Sequence, residues 1–129
     1  MFGLSAAVRV YLAKQPADMR KSFDGLAALA SGSLALDPLS GHLFVFVNKR
    51  RDRIKILYWD RDGLAVWAKR LEHDTFRIPD AAADRVEMTT AELAALLAGI
   101  DLDKARRRVR YSRPAIPFRN SENNLPTRA

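Results

Sequence analysis

Two groups of basic side chains in this sequence have the types and spacing that suit contact with phosphate groups. The first is a run in which five cations and one acid fall within residues 49–55, namely Lys49, Arg50, Arg51, Asp52, Arg53 and Lys55. The second is an arginine-rich segment further along the chain, whose cations are Lys104, Arg106, Arg107, Arg108, Arg110 and Arg113. Cations that neutralise phosphates release counterions, so either group can supply affinity for nucleic acid.

The net charge of +7 lies entirely in the last 26 of the 129 residues. Residues 1–103 hold 14 Lys or Arg and 14 Asp or Glu, and these charges cancel. Residues 104–129 hold 8 Lys or Arg against Glu122 alone, and the apolar periodicity fades there into prolines and asparagines. Because this composition cannot bury enough apolar surface to fold alone, we expect one domain over residues 1–103 and a basic, largely disordered tail over residues 104–129.

Each basic group also has an interpretation that involves no nucleic acid. The tail interleaves Tyr111 and Phe118, which can stack on unpaired bases, but it can equally be a solvated extension or dock on an acidic partner or a neighbouring subunit. The run at residues 49–55 suits a β-ribbon that tracks a backbone, and cationic turns also discourage edge-to-edge aggregation. The candidate nucleic-acid-binding residues are therefore Lys49, Arg50, Arg51, Arg53, Lys55, Arg106, Arg107, Arg108 and Arg110.

Catalytic chemistry has little support in the residue types. The chain has no cysteine, and neither His42 nor His73 lies in a catalytic or metal-binding motif. The carboxylates that could hold Mg²⁺ are Asp18, Asp24, Asp37, Asp52, Asp60 and Asp62. Because Asp18 suits a helix cap and Asp37 and Asp62 suit turns, we expect no catalytic residue, no metal and no cofactor.

The sequence contains no signal for a membrane or for secretion. No run reaches the roughly eighteen apolar residues of a membrane span, and residues 1–12 lack the layout of a secretory signal. We expect a cytoplasmic protein that does not contact a membrane.

Alternating and helical patterns predict the elements that position the first basic group. Residues 8–12 alternate as in a half-buried strand, and residues 19–31 carry a helical apolar stripe with Asp18 as the N-cap and Gly32 beyond the end. Strands at residues 43–47, 53–59 and 64–71 form a β-meander, with a turn at Asp62 and Gly63. The basic run then lies at the tip of the first hairpin.

The remaining patterns complete an α+β domain. Residues 75–78 predict a short fourth or fifth strand, and Thr89 with Glu92 predicts a capping box for a helix that ends near Gly99. The predicted fold is a mainly antiparallel β-meander of four or five strands, with two helices packed on one face and a flexible basic C-terminal tail.

An ordered series of segments then gives the chain a family resemblance. The series is DMRKSFDGL at 18–26, DPLSGHLFVF at 37–46, DRIKILYWD at 52–60, KRLE at 69–72 and LLAGID at 96–101, with Gly63, Leu64, Phe76 and Pro79 between them. Over about residues 5–103, the chain resembles the TnpB-type accessory protein of the insertion sequence 66 family of bacterial transposable elements.

The resemblance implies a small non-catalytic protein that is encoded beside a larger transposase and supports movement of the element. It assigns no catalytic or binding residue, so the expected partners, DNA and the transposase of the same element, rest on charge placement as well. A protein-interaction adaptor that binds the transposase or self-associates without contacting DNA is the alternative. A nuclease, which would need carboxylates such as Asp37 or Asp60, is the third and least supported interpretation.

Overall fold

The computed structural model describes residues 7–104, which form a five-stranded sheet with a helix on each side. In chain order the elements are β1 (Val10–Ala13), α1 (Phe23–Ser31), β2 (Leu43–Val47), β3 (Arg53–Asp60), β4 (Gly63–Arg70), β5 (Arg85–Met88) and α2 (Thr90–Leu97). The α+β class, the meander of β2, β3 and β4, and the two helices are confirmed. Within residues 7–104, no helix is long and apolar enough to cross a membrane.

The strand order is β4-β3-β2-β1-β5, and it contains one parallel pair. β2, β3 and β4 pair antiparallel through two hairpins, while β1 pairs parallel to β2 and antiparallel to β5. A parallel pair needs a crossover connection, and α1 lies in the segment that links β1 to β2. The sheet is thus mainly antiparallel, as predicted, with α1 as its crossover helix.

The two helices lie on opposite faces of the sheet, so the prediction that both pack on one face is wrong. Leu26 and Ala30 of α1 pack with Phe44 and Phe46, on what we name the α1 face. The opposite α2 face holds Leu93 and Leu96 of α2, packed with sheet residues that include Val10, Val45 and Ile56. All five side chains of β2 are buried because successive residues of a strand point to opposite faces and both faces are covered.

The helix predicted from residue 19 begins only at Phe23, with Ser22 as its N-cap. Asp18 caps a tight turn instead, since its carboxylate accepts the N–H of Arg20 at 2.9 Å. The carbonyl of Lys21 accepts a hydrogen bond from the ammonium of Lys55 at 2.7 Å, which attaches the segment just before α1 to the sheet. The predicted end of the helix is correct.

The fifth strand is β5, whereas the strand predicted at residues 75–78 does not form. Phe76 is buried and Ile78 packs against the same core, but the backbone there pairs with no strand: the Phe76 N–H donates to the Arg51 carbonyl at 2.7 Å and the Thr75 N–H to the Asp74 carboxylate at 2.8 Å. Apolar alternation at residues 75–78 therefore reflects side-chain burial without strand pairing. β5 pairs over four residues with β1, a partner more than seventy positions away in sequence.

The predicted turn at Asp37 and the cap of α2 are confirmed, whereas the turn between β3 and β4 lies at Arg61 and Asp62, one residue before the predicted Asp62 and Gly63. Leu39 donates its N–H to the Asp37 carboxylate at 2.9 Å, and Asp60 pairs with Gly63 across a two-residue hairpin. Thr89 and Glu92 form a reciprocal capping box at the start of α2. The helix ends as expected, with Gly99 in the left-handed region at a φ of +87°.

Candidate nucleic-acid interface

The basic loop, residues 48–52 between β2 and β3, is held together by the side chain of Asn48. Its Oδ1 accepts the N–H groups of Asp52 and Arg53, each at 3.0 Å, and its Nδ2 donates to Asp52 Oδ1 at 2.6 Å. Its carbonyl also accepts the N–H of Arg51 at 3.0 Å. Four hydrogen bonds to one partly buried residue therefore give the loop a defined conformation.

This conformation places the loop cations at the surface. Lys49, Arg50 and Arg51 are exposed, and Arg51 adopts a φ of +62°, which is uncommon for a residue other than glycine. Asp52 is the one acid of the loop, and its hydrogen bond from Asn48, aided by the charge of Arg50, holds the pKa of its carboxyl below the ordinary value. Asp52 stays ionised at neutral pH and lies 4.0 Å from the Arg50 guanidinium, but one carboxylate cannot offset three cations.

Two arginines extend the basic surface from the loop onto the sheet. Arg53 opens β3 and is the direct partner of Arg70 at the end of β4. Because Ile54 points to the α2 face, strand alternation places Arg53 and Arg70 on the α1 face. The Asp52 carbonyl accepts the Leu71 N–H at 2.7 Å, which keeps the end of β4 against the loop.

The two arginines border a small surface groove of about 120 Å³. Its walls are formed by the ends of β3 and β4 and by the turn before α1; the residues are Met19, Arg53, Ile54, Lys55, Ala68, Lys69 and Arg70. Strand alternation places Lys69 with Ile54 on the α2 face, which leaves Arg53, Lys55 and Arg70 as the cations on the α1 face, where they can attract an anion.

Lys55 has a structural bond that the sequence does not reveal. It is partly buried, and its ammonium donates to the Lys21 carbonyl, as described above. Of the five predicted hairpin cations, Lys49, Arg50, Arg51 and Arg53 are exposed, whereas Lys55 joins the sheet to the turn before α1.

Lys69, Arg70 and Arg77 belong to the same basic end of the sheet but were not among the predicted residues. Arg77 follows Phe76, whose N–H is bound to the loop, and its guanidinium lies 3.6 Å from Asp74. The hairpin register decides which residues face Arg53: a turn at the predicted Asp62 and Gly63 would place residue 72 there, whereas the observed turn at Arg61 and Asp62 places Arg70 there.

The predicted tail cations Arg106, Arg107, Arg108 and Arg110 lie outside the described residues. The described chain ends at Lys104, two residues after Leu102, which packs on the α2 face. Arg53 and Arg70 lie on the α1 face.

The carboxylates and histidines form no catalytic arrangement within the part of the chain that the structure describes. Asp37 accepts hydrogen bonds in a turn, and His42 Nδ1 accepts the Arg9 N–H at 3.0 Å while its ring lies edge-on to Tyr11. Across residues 7–104, no three His, Asp or Glu side chains are placed to hold a metal ion.

Comparison with known proteins places the described domain among relatives of similar length. The model of a family described as IS66 Orf2 like protein matches residues 8–107. The uncharacterized protein y4jC of Sinorhizobium fredii is 37% identical over 108 residues, which cover 84% of this chain and 92% of that protein. The uncharacterized protein y4hO of the same organism is 37% identical over 94 residues, or 73% of this chain and 82% of that protein. No solved structure matches the chain.

Proposed function

The chain belongs to the family of IS66 Orf2-like proteins, and from this membership we propose that it is a non-catalytic accessory protein for transposition of an insertion sequence, which binds DNA. The family resemblance expected from the sequence is thereby confirmed, and a role in transposition follows from it. The DNA contact is our own inference. We also propose that the protein works in the cytoplasm, where the element and its transposase act.

The observation that supports DNA binding is the exposed, ordered basic loop. Asn48 fixes the loop that presents Lys49, Arg50 and Arg51. The main chain of the loop therefore loses little conformational freedom when these side chains contact the phosphates of DNA. Contacts of this kind fix position and give affinity without reading sequence. We therefore expect affinity that depends weakly on sequence and strongly on salt.

A salt titration of the full chain tests the proposal. Fluorescence anisotropy with a labelled duplex and a labelled single strand, each measured between 50 and 200 mM salt, gives the number of phosphates neutralised, because the logarithmic slope is about 0.9 per phosphate for duplex DNA. The triple variant Lys49→Gln, Arg50→Gln and Arg51→Gln should reduce the slope by roughly 2 to 3.

A matched control is Arg9→Gln with Lys14→Gln and Arg61→Gln, which removes three exposed cations outside the basic loop. The control should retain most of the slope. If the unaltered chain shows no binding at low ionic strength, or a binding constant that is independent of salt, the proposal is wrong.

The adaptor function is the second candidate, and a separate surface favours it. A groove of about 300 Å³ beside α1 is lined mainly by Ala13, Pro16, Ala17, Leu29, Leu34 and Phe46. In this alternative the neutral domain binds the transposase of the same element or a second copy of itself. Deleting residues 104–129 discriminates: a truncated chain that still co-purifies with the transposase and supports transposition, without binding DNA, favours the adaptor.

A further inference from the structure

Arg53 and Arg70 place two like charges directly opposite each other across β3 and β4. Side chains at such positions have Cβ atoms roughly 5 Å apart, and like charges at this spacing repel. Both residues are exposed. Among the described residues, no carboxylate lies within 4.0 Å of the Arg53 guanidinium, and the attraction of the neighbouring Asp52 carboxylate acts over a longer distance.

The groove beside the two arginines is small. The groove of about 120 Å³ is far smaller than the roughly 300 to 1,000 Å³ of pockets that enclose drug-sized ligands. Ala68 lies opposite Lys55 in the register and carries only a methyl group, which leaves the groove open beside Arg53 and Arg70. Met19 supplies an apolar wall.

We propose that the groove between Arg53 and Arg70 binds one backbone phosphate of DNA, shared by the two guanidinium groups. The inference rests on the proposed function and adds a second contact point, on the α1 face, to the basic loop. Guanidinium groups donate in a planar fork that matches phosphate oxygens, and a phosphate between them relieves their mutual repulsion. Lys69 also borders the groove, but strand alternation places it on the α2 face with its partner Ile54, so the phosphate contact is assigned to the two arginines.

Glu72 holds Arg70 when no phosphate is bound. Arg70 Nε donates to Glu72 Oε2 at 3.1 Å, and the two side chains are 67% and 69% exposed. Such an exposed ion pair is weak, so a phosphate can replace the carboxylate. Removing the Glu72 charge should therefore strengthen DNA binding, which a purely structural ion pair would not do.

Binding of the full chain to a labelled duplex at 50 mM salt tests the phosphate site. Arg53→Gln and Arg70→Gln should each weaken binding about threefold to fivefold, and Glu72→Gln should tighten it about twofold. The double variant of the two arginines should weaken binding by less than the product of the single effects, because both side chains contact one phosphate.

Arg9 and Glu87 provide the matched control. They form an exposed ion pair between the start of β1 and β5, near the opposite edge and end of the sheet, with side chains 62% and 48% exposed. Arg9→Gln and Glu87→Gln change the net charge equally but should leave binding nearly unchanged. Circular dichroism of every variant confirms that the fold is intact.

The outcomes separate this inference from the proposed function. Binding by the unaltered chain that neither Arg53→Gln nor Arg70→Gln weakens beyond Arg9→Gln overturns the phosphate site alone. The same holds if the two variants lose only transposase co-purification, which would assign the groove to a protein carboxylate. If the unaltered chain does not bind DNA, both proposals are wrong, and inorganic phosphate with NMR of the arginine Nε–H groups then shows whether the groove binds an anion at all.

Discussion

The ammonium of Lys55 donates to the carbonyl of Lys21 at 2.7 Å, which joins β3 to the turn before α1. Lys55 is partly buried, whereas Lys49 in the same basic run is exposed. The two lysines of one basic run therefore differ in role: Lys55 contributes to stability, and Lys49 is available to a ligand.

Lys55→Met keeps the apolar stem of the side chain but removes its donor. We expect the free energy of unfolding to fall by about 1 kcal/mol, because a hydrogen bond from a charged group is lost while packing is retained. Lys49→Gln should leave stability unchanged within about 0.5 kcal/mol and weaken DNA binding more than Lys55→Met does. Urea unfolding and duplex binding of both variants measure this, and the reverse order of effects would contradict the assignment.

Asn48→Ala should destabilise the protein through the basic loop. The substitution leaves the N–H groups of Asp52 and Arg53 without the acceptor that now lies 3.0 Å from each. The loss of unfolding free energy should be about 1 to 3 kcal/mol in urea titrations. DNA affinity should also fall, since Lys49 and Arg51 then lose their fixed placement.

Asn48→Asp is the control, because it retains the acceptor oxygen for both N–H groups. It loses the donor to Asp52 and puts a second carboxylate beside it, so an intermediate stability is expected. Equal stability of the alanine variant and the wild type would show that Asn48 does not hold the loop.

The sequence predicts those parts of the fold that depend on near neighbours. β2, β3 and β4 are consecutive and joined by short loops, so their antiparallel pairing follows from their adjacency in sequence. Thr89 and Glu92 lie three positions apart, and their capping box depends on nothing else in the fold. The basic loop is predictable for the same reason.

The parts that were missed depend on distant partners. β5 is only four residues long and exists because β1 is available to pair with it. The side on which α1 packs is set by the crossover between β1 and β2, and α2, which follows β5, covers the other face. The unbroken apolar run of β2 already indicates a strand covered on both faces. Arg70 was missed for a local reason instead: the turn lies at Arg61 and Asp62, one residue before the Asp62-Gly63 signal, and this shift makes Arg70 the partner of Arg53.

Asp18 should make the stability of the protein depend on acid pH. Its hydrogen bonds with the side chain of Arg20, above all, lower the pKa of its carboxyl from 3.8 to about 2. A lowered pKa in the folded state means that the ionised form stabilises the fold: the contribution is present above about pH 4 and is lost as the pH falls toward 2.

Asp18→Asn retains an acceptor for the Arg20 N–H but has no charge to titrate. The wild type should be the more stable of the two at pH 5, and the difference between their thermal midpoints should shrink as the pH is lowered to 2.5. A difference that stays constant over this range would mean that the Asp18 carboxylate makes no charge-dependent contribution.

Substitutions of Arg51 can distinguish the effect of backbone strain from the effect of charge, because its φ of +62° is a conformation that glycine adopts freely. Arg51→Gly removes the energy needed to hold a residue other than glycine in the left-handed region, roughly 1 to 2 kcal/mol. Glycine also has more conformational freedom in the unfolded chain, and this offsets about 0.5 to 1 kcal/mol of the gain in stability. The glycine variant should therefore be slightly more stable than the wild type in urea unfolding. Arg51→Gln should match the wild type, and Arg51→Val, which is β-branched, should be the least stable.

All three Arg51 variants lose the same positive charge, so they should weaken duplex binding to a similar extent if the charge is what contacts the phosphate. Weaker binding by the glycine variant than by the glutamine variant would show that the rigid loop, and not only its charge, supports the contact. A glycine variant that is less stable than the valine variant would contradict the left-handed conformation at this position.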